Sequence, residues 1–290
     1  MPTDKRQRQR DNAATRAAAL RAAQQRRANR RRGITAALAV IAVIAIVAFF
    51  VIRGGSSKKT TPITTKVTTT TVAPAGTPPK APLVPAGASI TGETPCPAPD
   101  GSAARTTSFA KPPSSCIDPS KQFVATFDTS EGRIVVDLDT KRTAGTVNNF
   151  IVLARYHYYD GSSFDRIDTS IDIIQGGSPS TQSIADPGPG YTINDEGGKF
   201  TYSPGDLVMA RGAGKNSGAA QFFFVVGPNA SHLNDQGTYV TFGHVSQGLD
   251  ILQKVEGLNQ PCPPNDQTGT CLGGAPSRPV VVRSITISQS

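Results

Sequence analysis

Nineteen consecutive residues, Ile34 to Ile52 (ITAALAVIAVIAIVAFFVI), carry no charge, no proline and no glycine. As an α-helix rising about 1.5 Å per residue, this run spans about 28 Å, close to the roughly 30 Å hydrocarbon core of a bilayer. A helix buried in a soluble core would keep one polar face, and this run has none. A signal peptide has a shorter apolar region, about 7 to 15 residues, followed by a small-residue cleavage site. Here Arg53 and then Lys58-Lys59 follow instead. The run predicts an uncleaved transmembrane helix over residues 34–52.

Charge sets its orientation. The chain of 290 residues has a formal net charge of +9, which by itself would suggest a nucleic-acid partner. From Lys121 to Ser290, however, 12 Lys+Arg face 16 Asp+Glu, a balance of −4. Much of the positive excess sits in residues 1–33, in Lys5-Arg6, Arg8, Arg10, Arg16, Arg21, Arg26-Arg27 and Arg30-Arg31-Arg32, opposed by Asp4 and Asp11. Lys and Arg beside a membrane helix are retained on the cytoplasmic side. The arm therefore predicts a cell-membrane protein with a cytoplasmic N-terminus and an extracytoplasmic C-terminal domain. Its partners would be the lipid bilayer through Ile34 to Ile52, with no nucleic acid expected.

Residues 53–120 are rich in Thr, Pro and Ala and poor in large apolar residues, which predicts a disordered extracytoplasmic linker. Cys96, Cys116, Cys262 and Cys271 fall as two sequence-local pairs in Pro- and Gly-rich segments. In an oxidising compartment they predict disulfides Cys96–Cys116 and Cys262–Cys271, among the three connectivities that four cysteines allow. Neither pair has zinc-site spacing, so no metal is expected.

Residues 121–290 read as one domain. Phe123–Phe127 and Ile134–Leu138, joined at Ser130-Glu131-Gly132, predict a hairpin. Val147, Phe150, Ile151 and Ala154 recur at helical spacing and predict a helix over Thr146–Tyr156 with Thr146 as N-cap. Short apolar runs at Asp172–Ile174, Asp206–Ala210, Gln221–Val226, Tyr239–Val245 and Val280–Ile287 predict strands, and Ser246–Val255 a second helix. Many strands, two helices and no regular β-α alternation predict a mainly β, antiparallel barrel.

Six blocks then occur in order: Phe164-Asp165-Arg166, Gln175-Gly176-Gly177, Gly188-Pro189-Gly190-Tyr191, Val208-Met209-Ala210-Arg211, Ala220-Gln221-Phe222-Phe223 and Thr241-Phe242-Gly243-His244-Val245. Together they resemble the signature of the cyclophilin-type peptidyl-prolyl cis/trans isomerases, over about Phe123 to Ile287. The resemblance implies an eight-stranded antiparallel barrel closed by two helices, acting without a cofactor on proline-containing polypeptides. It implies Arg166 as the catalytic arginine and Gln175 as the residue that positions it. Phe164, Ile173, Met209, Ala210, Gln221, Phe223, Leu233 and Tyr239 would bind substrate, with Ile173, Met209, Phe223 and Leu233 lining the hollow for the proline ring. The expected function is isomerisation of X-Pro bonds in exported or cell-surface proteins.

Two departures bear on activity. Asp172 stands where the family usually carries Phe, and the segment from Arg166 to Gln175 is one residue longer, which would let Ile171 fill the space. An aspartate in the hollow would pair with Arg166 or pay a desolvation cost. The alternative reading is then a proline-segment binding module or holdase with the same groove and weak turnover. His232 stands in place of an aromatic, and Tyr239 in place of a histidine, a mild exchange because Tyr keeps an aromatic wall and a polar tip.

Overall fold

The computed structural model describes residues 81, 84–212, 214–262 and 272–289. The arm 1–33, the run Ile34–Ile52 and Cys271 lie outside them, so the expected membrane helix does too. Among the described residues no helix is long and apolar enough to cross a membrane.

Eight strands close into a barrel. In chain order the strands of the molecule are β1 (Ala88–Ile90), β2 (Thr106–Phe109), β3 (Phe123–Thr129), β4 (Gly132–Leu138), β5 (Ser163–Asp168), β6 (Ile173–Gly176), β7 (Asp206–Arg211), β8 (Gly218–Val225), β9 (Thr241–Gln247), β10 (Asn259–Pro261), β11 (Gly274–Pro276) and β12 (Val280–Gln289). The barrel order is β12-β3-β4-β9-β7-β8-β6-β5, and every neighbouring pair is antiparallel. Closure leaves no unpaired edge.

Alternation decides what fills it. Phe123, Ala125 and Phe127 of β3, and Ile134, Val136 and Leu138 of β4, all turn inward. Phe127, Phe222 and Phe224 meet edge-on at centroid distances of 5.4 to 5.8 Å. Phe150, from helix α1 (Ala144–Arg155), joins this cluster through Phe127 and Phe242. Helix α2 (Leu249–Glu256) buries Leu252 and Val255.

The helix boundaries shift from those expected, for identifiable reasons. α1 starts two residues earlier, and its first N–H groups are not capped by Thr146. Glu196, brought over from a distant loop, accepts from Gly145 and Thr146. α2 starts at Leu249 because Ser246 and Gln247 continue β9. The turn between them falls at Gly248, whose φ of +93° suits glycine.

Within the expected linker, residues 84–120 are instead packed on the domain. β1 and β2 pair in parallel, and Cys96 and Cys116 form a disulfide. Phe109 is 1% exposed and meets Tyr156 and Tyr191 edge-on. Arg105 donates to the carbonyls of His157 and Asp160, and Tyr156 Oη to that of Pro95. This arm has too few apolar residues for a core of its own, so its order comes from a crosslink and from hydrogen bonds to its neighbour. Cys262 is also disulfide-bonded.

Candidate functional site

Arg166 pairs across β5 and β6 with Gln175, Gln175 across β6 and β8 with Phe223, and Phe223 across β8 and β7 with Val208. Directly opposite residues on neighbouring strands share a face, so this register aligns arginine, amide and aromatic ring in one row. Phe222 and Phe224 point into the barrel, which leaves Phe223 facing outward. The row opens on a groove of about 510 Å3.

Of the expected site residues, Arg166, Gln175, Ile173, Ala210, Gln221, Phe223, Leu233 and Tyr239 all line this groove. The 3-10 helix Pro228–Leu233 delivers Leu233. Tyr239 meets Phe223 edge-on at 5.7 Å, and the two rings with Leu233 and Ile173 form an apolar hollow beside Arg166.

Phe164 and Met209 are placed differently. Phe164 pairs with Gly176, and β5 bulges between Phe164 and Arg166. The bulge lets Arg166 face out while Phe164 faces in, 2% exposed and edge-on to Phe224 at 6.0 Å. Met209 pairs with Phe222 and so takes the inner face, where it is 3% exposed and absent from the groove lining.

Asp172 neither fills the hollow nor reaches Arg166. It adopts φ +47°, and its carboxylate accepts from the backbone N–H of Asn229 at 2.8 Å and its Nδ2 at 2.9 Å. Gly227 makes room for it, since a Cβ there would meet the carboxylate. Ile171 packs against the core without lining the groove.

The arginine is held by a directed relay. Its Nη1 donates to Gln175 Oε1 at 2.9 Å, Gln175 Nε2 to Gln221 Oε1 at 2.8 Å, and Gln221 Nε2 to the Ile184 carbonyl at 3.2 Å. Each amide thus has a fixed orientation, oxygen toward the arginine and nitrogen away. Arg166 Nη2 donates to Asp168 Oδ2 at 2.6 Å, and Nε to the Leu272 carbonyl at 2.6 Å. Among the described residues the second N–H on each terminal nitrogen remains available.

Asp168 and Leu272 were not anticipated. Asp168 had a readable signal, because residues i and i+2 on a strand share a face. Leu272 had none, being 106 residues from Arg166 in sequence. Asp165, in the bulge, keeps both carboxyl oxygens out of solvent, and burial pushes its pKa up to about 7, with the Ser178 hydroxyl opposing the rise.

Comparison with known proteins agrees with this geometry. Residues 124–286, more than half of the chain, match the family model described as cyclophilin type peptidyl-prolyl cis-trans isomerase/CLD. The chain is 39% identical over 125 residues to peptidyl-prolyl cis-trans isomerase B of Bacillus subtilis, covering 42% of this chain and 82% of that one. It is 32% identical over 169 residues to the isomerase cyp18 of Streptomyces antibioticus, covering 55% and 95%, and 33% identical over 143 residues to an isomerase of Helicobacter pylori, covering 47% and 82%. An outward arginine beside an apolar hollow on a closed antiparallel barrel, together with these matches, places the chain among the cyclophilin-type peptidyl-prolyl cis-trans isomerases.

Proposed function

We propose that Arg166 is the catalytic residue of this isomerase, and that the domain acts on X-Pro bonds of exported or cell-surface polypeptides while tethered to a membrane through Ile34–Ile52. The observation that carries the catalytic part is the fixed guanidinium beside the hollow of Phe223, Leu233, Tyr239 and Ile173.

Rotation about a peptide bond is opposed by amide resonance, with a barrier of about 18–20 kcal/mol. In the twisted transition state the prolyl nitrogen turns pyramidal and its lone pair becomes an acceptor. In the planar ground state that lone pair is delocalised. A donor fixed at this point binds the transition state more strongly than the substrate, and this is what raises the rate. The Arg166 side chain is 15% exposed and tied at three nitrogens, so little reorganisation is needed when the lone pair appears. The hollow holds the ring while the rest of the peptide turns.

The binding-module alternative drew on Asp172, which is engaged with Asn229 and leaves the hollow apolar. A protease-coupled assay on an X-Pro peptide tests the enzyme reading. Arg166→Ala should lose roughly 100- to 1000-fold in kcat/KM, the usual cost of removing one transition-state donor. An equal rate in variant and wild type would overturn the reading.

The tether is supported by the length of the apolar run, the basic arm before it and the Cys96–Cys116 disulfide, a bond suited to an oxidising compartment. Fractionation of intact cells, followed by external protease, should find the domain membrane-bound and accessible. Deletion of residues 1–52 should release it from the membrane fraction.

A further inference from the structure

Leu272 lines the groove next to Arg166 and is 54% exposed, the one large apolar side chain so exposed among the described residues. A lone exposed leucine on a protein surface needs no explanation. This one is distinguished by how it is held. Its carbonyl accepts from Arg166 Nε at 2.6 Å, which fixes its backbone to the side chain that acts on the prolyl bond. The next residue, Gly273, has φ +93° and lies so close to β5 that a Cβ would stand 2.6 Å from the Ile167 carbonyl and 2.8 Å from Asp168 Cβ. Beyond it, β11 pairs with β10 and packs beside β5. The leucine is therefore an anchored part of the groove wall, its backbone held at Nε of the guanidinium whose Nη1 is held by Gln175, the cross-strand neighbour of Phe223.

Leu272 lines the same groove but is not one of the residues that form the hollow, so in a peptide whose proline occupies the hollow, what meets the leucine is a residue flanking the proline. Resting on the isomerase reading above, we infer that Leu272 is a specificity-determining residue that favours prolyl substrates with a large apolar side chain next to the proline. Such a side chain covers the leucine and both leave water, whereas glycine or a carboxylate gains nothing there. Covering about half of a leucine side chain corresponds to roughly a 5-fold preference in kcat/KM.

The test uses two series of peptides in a direct isomerisation assay on the full chain. One series varies the residue before proline and the other the residue after it, each as Leu, Gly or Glu. Wild type should prefer Leu to Gly in one of the series, and Leu272→Ser should reduce that ratio roughly 5-fold. Gly273→Val, which forces the segment off β5, should reduce the same ratio, whereas a purely structural role would lower rates on all peptides alike. An unchanged Leu-to-Gly ratio in Leu272→Ser, with the wild type active, overturns the inference alone. Wild-type rates that Arg166→Ala leaves untouched overturn the isomerase reading and this inference together.

Discussion

Arg166 owes its aim to three partners of different kinds, and they should not be equivalent. Gln175 belongs to a relay that ends on a backbone carbonyl, and Leu272 contributes a backbone oxygen, so both are fixed by the fold. Asp168 supplies the charged partner, at 2.6 Å with its side chain only 13% exposed. Replacing it with Ala removes one of three restraints and leaves the guanidinium free to swing, and small misplacements of a reacting group are costly. Asp168→Ala should lower kcat by about 10-fold with the Tm little changed, which stopped-flow isomerisation and a thermal melt would check. Its neighbour Asp165 makes a separate prediction. Burial raises this carboxyl to about 7, with Asp186 adding repulsion and Ser178 and Arg166 opposing. The folded chain then holds a proton that the unfolded chain, near the ordinary 3.8, has released. Stability should therefore fall as pH rises from about 4 to about 7 and level off above it. Asp165→Asn should flatten that slope and raise the Tm at pH 8 relative to wild type. Equal Tm differences between pH 5 and pH 8 in the two proteins would refute it.

At the scale of elements, α1 illustrates how far local pattern carries. Its apolar face was legible, because Val147, Phe150, Ile151 and Ala154 must share one side of any helix. Its cap was not, because the acceptor is Glu196, some 50 residues away. Removing that carboxylate in Glu196→Ala should cost about 1 kcal/mol, the usual worth of an N-cap, read as a shift of the denaturation midpoint at constant slope. The same division runs through the groove. Phe223 is assigned to the groove by the family resemblance, alternation alone saying only that some of the three phenylalanines would be core, and eight of the ten expected catalytic and substrate-binding residues line one cavity. Phe164 and Met209 were misplaced because a bulge at Asp165 and the pairing of Met209 with Phe222 set which face each side chain takes. Register is a property of two strands, and neither strand carries it alone. The turn of Asp172 toward Asn229 was hidden for a like reason, since its partner lies 57 residues on.

Taken as a whole, the molecule ties the segment 84–120, which precedes the barrel, to the wall of the groove. Phe109 N donates to the Pro189 carbonyl at 2.7 Å, and Gly190, at φ +107°, leaves no space for a Cβ beside the Phe109 carbonyl. Tyr191 then stands in the groove lining, with its hydroxyl donating to Asn149 Oδ1 at 2.7 Å, while Asn149 Nδ2 donates to the carbonyl of Ala219, another lining residue. A chain of contacts thus runs from β2 to Tyr191 and Ala219 in the groove lining, and none of its hydrogen bonds is one of those that hold Arg166. The Cys96–Cys116 bond closes a loop of 20 residues beside it, and such a crosslink contributes about 3 kcal/mol in the loop-entropy account. Loosening this segment should therefore disturb substrate binding more than the chemical step. Phe109→Ala, which empties a fully enclosed site, should cost about 3–5 kcal/mol and raise KM several-fold, while kcat stays near the wild-type value. Replacing Cys96 and Cys116 together by Ser, which leaves the disulfide of Cys262 in place, should move KM in the same direction with a smaller loss of stability. The measurement is kcat and KM at a temperature well below the lowered Tm. A fall in kcat matching the fall in kcat/KM would mean that the segment supports the arginine as well, and an unchanged KM in a destabilised variant would mean that the segment only adds to the core.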